Sequence, residues 1–144
     1  MQNQPPVQVS SQPPVPAAKS STGLDENIAA LLAYVFHLVS GLIFFLIEKN
    51  SRLVRFHAMQ SIILTTVFWV GEIALVILSS ILVLIISQIS GLLGTLVWAL
   101  LMLVAFGLGI AAVIGWILCM IKAYQGQYFK LPVIGNFAEK FSTK

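Results

Sequence analysis

A chain of 144 residues that is 58% hydrophobic and 9% charged cannot build a charged shell like that of an average soluble domain, in which roughly 25% of residues carry charge. Lipid is the solvent that suits such a composition, and the length leaves room for one small domain without a separate catalytic one. The net charge of +3 does not point to nucleic acid, because the basic residues gather where apolar runs end, and the single Cys119 excludes an intramolecular disulfide or a cysteine-based metal site.

Residues 1–23 are rich in Pro, Gln, Ser and Val and contain no apolar run. They lack the basic and apolar regions of a signal peptide. They cannot bury enough surface to offset their ordering entropy, so they read as a disordered tail. Residues 24–141 then form a single membrane domain. Asp25 is a candidate N-cap, and Asp25 and Glu26 suit the positive end of a helix dipole. Residues 28–47 are apolar and, as a helix of about 30 Å, match the hydrocarbon core of a bilayer. They read as a first span.

The run "EKNSRLVRFHAMQS" follows, with Lys49, Arg52, Arg55 and His57 close together. Beyond it, Glu72 is the single charged residue between Ala58 and Ile121, and "SQISGLLGT" (residues 87–95) is the one turn-prone interruption. This places a second span at 60–86 and a third at 95–121, both long enough to tilt. After Ile121, Lys122 and the aromatic residues Tyr124, Tyr128 and Phe129 suit a membrane interface. Gly126 and Pro132 end the helix, and the last dozen residues suit a short surface helix.

The expected fold is therefore all-α and integral to the membrane, with three transmembrane helices, a disordered N-terminal tail and a basic C-terminal tail. Short Lys- and Arg-rich segments stay in the cytoplasm. Two spans separate the basic loop from the basic tail. A multi-pass plasma-membrane protein with its N-terminus outside and its C-terminus in the cytoplasm is expected. Lys49, Arg52, Arg55 and His57 are candidate contacts for anionic lipid or an acidic partner. Arg52 and Arg55 share one helix face, and Leu53 and His57 another.

Two ionisable groups fall inside the spans. His37 lies in a stripe of small residues with Ala29, Ala33 and Gly41, and Gly107, Ala111 and Gly115 repeat at the same spacing in the third span. Glu72 centres a stripe with Ser61, Thr65, Phe68, Leu75 and Ser79. Both groups lie at mid-depth, where an ionisable side chain is costly. They form a candidate intramembrane pair. No GxSxG, HExxH, P-loop or CxxC motif occurs. No catalytic residue, metal ligand or cofactor is expected.

The stretch "LDENIAALLAYVFHLVSGLIFFLIEKNSRLVRFHAMQSI" and the closing "KAYQGQYFKLPVIGNFAEK" resemble a widespread family of small prokaryotic membrane proteins without an established activity. That family is distantly grouped with the Tic-type import component of the chloroplast inner envelope. "VRFHAMQS" and "KLPVIG" are its more specific blocks. The resemblance implies a multi-span helical membrane protein with no assigned catalytic residue. The expected function is a non-enzymatic subunit or scaffold that packs against other membrane proteins or itself, assisting protein insertion or translocation. The alternative is a self-assembled ion or proton conductor using Glu72 and His37.

Overall fold

The computed structural model describes residues 18–142. Five helices follow in order: α1 (Glu26–Val35), α2 (Leu38–Ile47), α3 (Arg52–Ile89), α4 (Gly91–Tyr124) and α5 (Ile134–Ser142). Most of the tail read as disordered lies outside the described residues. Residues 18–23, at its edge, form a turn in which Glu26 N–H donates to the Ala18 carbonyl and Ser20 N–H to that of Leu24.

The stretch expected to cross as a first span, residues 28–47, is broken at Phe36–His37. His37 takes φ +53 and ψ −120, a conformation that reverses the chain and is unusual for a residue with a Cβ. Ser40 stitches the reversal: its hydroxyl accepts from Phe36 N–H (3.0 Å) and donates to the Ala33 carbonyl (3.0 Å). The hairpin brings both of its ends together, with the Ser51 hydroxyl donating to the Glu26 carboxylate at 2.8 Å. Each arm is only 10 residues, about 15 Å. An arm of that length is too short to cross a hydrocarbon core of about 30 Å.

The hairpin corrects the topology. Residues 18–25, the 48–51 loop and the C-terminal segment all lie at one end of the molecule, linked by bonds such as Ser21–Glu48, Asn27–Tyr124 and Arg55–Ser142. Three crossings would have put residue 21 at the opposite end from the loop.

Helices α3 and α4 contain the other two expected spans and extend each of them. Only 6% and 0% of their most apolar windows is buried within the protein, so they are not core helices of a water-soluble fold. Helix α3 starts earlier than the apolar run because Ser51 caps it, accepting from Val54 N–H at 3.2 Å. Its 38 residues make about 57 Å, which a tilt near 40° reduces to about 44 Å, the thickness of a bilayer with its headgroups. The turn after α3 is tighter than the expected nine residues: Ser90 alone links the two helices. Gly94 permits this, because a Cβ there would lie 3.0 Å from Ser87 Cβ.

The buried core sits at the end where all segments meet. Ala29, Ala30 and Tyr34 of α1 pack with Leu53 and Val54 of α3 and with Cys119 and Ala123 of α4. Gly41 of α2 lies flat on α3, close to the Ala58 carbonyl, Ser61 and Ile62. The first small-residue stripe is thus spent inside the chain. Helix α5 packs against α3, and its buried residues are Gly135, Ala138 and Ser142.

Candidate functional site

Two regions hold the side chains singled out by sequence. The first is the polar end. Glu48 closes α2 and is fully buried, and its carboxylate forms no ion pair among the described residues. Its carboxylate accepts from the Ser21 N–H and hydroxyl and from the N–H groups of Asn50 and Ser51, at 2.8–3.1 Å. Burial alone would push its pKa up, but the bonds from Ser51, Ser21 and Asn50 outweigh burial and hold it below the ordinary carboxyl value. Glu48 therefore fastens the N-terminal turn to the loop.

The four basic-loop candidates separate into two kinds. Lys49 and Arg52 are exposed and can reach headgroups or an acidic partner. Arg55 is committed inside: its guanidinium donates to the Glu48 carbonyl (2.9 Å) and the Ser142 carbonyl (3.1 Å) and lies 4.7 Å over the Phe45 ring. His57 is fully buried, which corrects its reading as a lipid or partner contact. Its Nε2–H donates to the Gln127 carbonyl (3.0 Å) while Nδ1 accepts from the Tyr34 hydroxyl (3.1 Å), so the neutral ring satisfies both partners. His57 pins the chain after α4 to α1. The "VRFHAMQS" block is thus mostly packing, with Val54, Phe56, His57, Ala58, Gln60 and Ser61 all buried. In the "KLPVIG" block, Gly135 sits so close to Lys130 Cα that a Cβ would fall 2.6 Å away, which closes the reversal before α5.

The second region is the apolar one. His37, at the tip of the hairpin, stacks on Trp116 of α4 with ring centroids 4.9 Å apart and an interplanar angle of 17°. Its carbonyl accepts from the Ser61 hydroxyl at 3.2 Å. The Trp116 indole N–H donates to the Tyr34 carbonyl at 3.1 Å, so the tip is held from both long helices. Glu72 is half-buried near the middle of α3, in a groove lined by Phe68, Trp69, Ile73, Val76 and Ile77 of the same helix. The structure does not bring His37 and Glu72 together. Ser61, which His37 touches, is eleven residues from Glu72, about 16 Å along the helix.

The small-residue stripe expected in the third span lies on an open face of α4. Gly107 and Gly115 of α4 face open space, with nothing within 4 Å of a Cβ built at either, and Ala111 between them is exposed. Among the described residues, no group of three or more His, Cys, Asp or Glu side chains is placed to hold a metal ion.

Residues 25–138 match the family model for magnetosome magnetite crystal formation proteins. The chain belongs to this family. Within the wider set of similar proteins, it is 46% identical over 124 residues to a UPF0132 membrane protein of Methanocaldococcus jannaschii, covering 86% of this chain and 94% of that one. It is 38% identical over 117 residues to a UPF0132 membrane protein of Archaeoglobus fulgidus, covering 81% and 95%. No solved structure matches. The family match spans both quoted blocks and every element from α1 to Ala138 of α5. These relatives are membrane proteins, and the two long exposed helices agree with a membrane location. None of these matches names a Tic-type component, so the wider grouping with one is not shown.

Proposed function

We propose that the protein is a non-enzymatic subunit or scaffold of a membrane assembly, docking other membrane helices on the outer face of α4. One observation carries this reading. Of the two small-residue stripes, Ala29–Ala33–Gly41 is buried against the chain's own helices, whereas at Gly107 and Gly115 no described residue lies within 4 Å of a built Cβ, and Ala111 between them is exposed. Without a hydrophobic driving force in lipid, helices associate where small residues let backbones approach. The stripe thus supports a partner helix, either from another membrane protein or from a second copy. The excess of Lys and Arg at the basic end, with Lys49, Arg52, Lys122 and Lys130, supports a cytoplasmic location for that end in a plasma-membrane protein. The family's description and that of the curated relatives both fit a membrane subunit.

The test uses Gly107→Ile and Gly115→Ile. A cysteine at Ala111 should crosslink wild-type chains to a partner in native membranes, and both changes should abolish the product. Because neither glycine faces the chain's own helices, monomer stability should hold. A product unaffected by both changes would end the reading. Assistance to insertion or translocation is its narrower form, and in the same experiment it predicts crosslinks to chains in transit.

The placement of Glu72 favours a second reading, a self-assembled proton or ion conductor. In proteoliposomes, Glu72→Gln should abolish flux under that reading and leave crosslinking intact under the first.

A further inference from the structure

Beneath the tip of the α1–α2 hairpin lies a cavity of about 220 Å³, lined by His37, Thr65, Phe68, Trp69, Ala112 and Trp116 among others. Its lining residues Trp69 and Val113 are strongly exposed on the two long apolar helices, so its access is from the bilayer rather than from water. Its size admits one ring: an apolar cavity of about 150 Å³ already takes up benzene, whereas a two-chain lipid needs far more room. Its shape suits a flat one, because the stacked His37 and Trp116 rings form one aromatic surface of the cavity and Phe68 and Trp69 also line it.

Its polarity narrows the ligand further. The face of the His37 imidazole is taken by Trp116, but no hydrogen bond to its ring nitrogens is found among the described residues. Thr65 donates its hydroxyl proton to the Ser61 carbonyl at 2.8 Å and keeps only acceptor capacity, the Trp116 indole N–H is taken by the Tyr34 carbonyl, and Trp69 adds a second indole donor. His37 is exposed at the edge of the cavity, among exposed apolar residues, so in the bilayer its imidazole meets lipid and lacks a polar partner. A hydrocarbon chain would fill the space and leave that need unmet. His37 also occupies a backbone conformation that costs free energy, a feature that gathers where a side chain must be held in place.

We propose that this cavity binds the ring of a membrane quinone, with the His37 imidazole donating a hydrogen bond to a ring carbonyl. The site is independent of the docking face on α4. Its isoprenoid tail would leave through the open side into lipid.

The test is fluorescence quenching in nanodiscs. Trp69 and Trp116 line the cavity and the third tryptophan, Trp98, does not, so Trp98→Phe leaves emission that reports on the site. A decyl-substituted benzoquinone should quench this protein saturably at one molecule per chain. Ala112→Phe, which fills the cavity, should remove the saturable phase. His37→Leu should weaken it about tenfold, the worth of one hydrogen bond, and His37→Asn should restore most of it. Thermal melts identify any variant that fails to fold, and if Ala112→Phe is one, the His37 pair decides. Linear quenching in W98F, unchanged by these substitutions, would overturn the site. Displacement of the quinone by decylbenzene at equal concentration would overturn the hydrogen bond to His37 and with it the assignment to quinones.

Discussion

Replacing Glu48 with Ala should cost about 2.5–4.5 kcal/mol, although the residue forms no ion pair among the described residues. The figure follows from its donors. Ser51 N–H is buried and would lose its acceptor without access to water, a penalty of about 1–3 kcal/mol. Ser21 and Asn50 are exposed, so water can replace the carboxylate there, and their three donor groups should contribute about 0.5 kcal/mol each. Denaturant titration of the detergent-solubilised protein reads the sum. Trypsin cleavage after Lys19 reads the local effect, because Glu48 anchors the adjoining turn. The pH dependence has a definite sign. The folded carboxyl is held below its unfolded value, so its contribution is complete above about pH 4.5 and is lost as pH falls through the folded value. A cost under about 0.5 kcal/mol with unchanged cleavage would refute the anchoring role.

Single cysteines at Thr22, Lys49 and Asn136 should react with an impermeant maleimide from the same side of sealed vesicles; labelling of Thr22 from the other side would sink the hairpin. His57→Leu should destabilise by about 1–3 kcal/mol through the stranded Tyr34 hydroxyl and should speed proteolysis of residues 125–133, as measured by mass spectrometry. At the hairpin tip, His37→Val should cost at least about 1 kcal/mol more than His37→Gly, because only glycine adopts φ +53, ψ −120 without strain; equal melting temperatures would count against the reversal. Gly41→Leu should cost about 1–3 kcal/mol by overpacking against Ala58 and Ser61, whereas Gly107→Leu should leave the monomer melt unchanged.

The two long helices were legible because apolar runs of that length have one inexpensive environment, and Ser90 fell inside the turn predicted for residues 87–95. The hairpin was not. Twenty apolar residues suit one crossing or two half-length arms equally, and the break falls on a histidine without the Gly or Pro that usually marks a reversal. Ser40 was the available sign, a hydroxyl able to bond both sides of a turn within an otherwise apolar run. The basic loop misled in the same way. Charge bias located an interface, but it does not say which side chains turn inward. Leu53 and His57 do share a face, as their spacing indicated, yet it is the core-facing one. The intramembrane pair failed on register. His37 was counted along a straight helix, and folding that helix back placed it level with Ser61 rather than Glu72.

The link at Ser90 leaves the far side of the bilayer almost nothing to see. A single residue joins α3 to α4, flanked by Ile89 and Leu92, both strongly exposed and apolar. An antibody, a protease or a glycosylating enzyme working from that compartment would find no loop to grip. Whatever reaches the described part of this protein must come from the face that holds Ser21, Lys49 and α5, or sideways through the lipid.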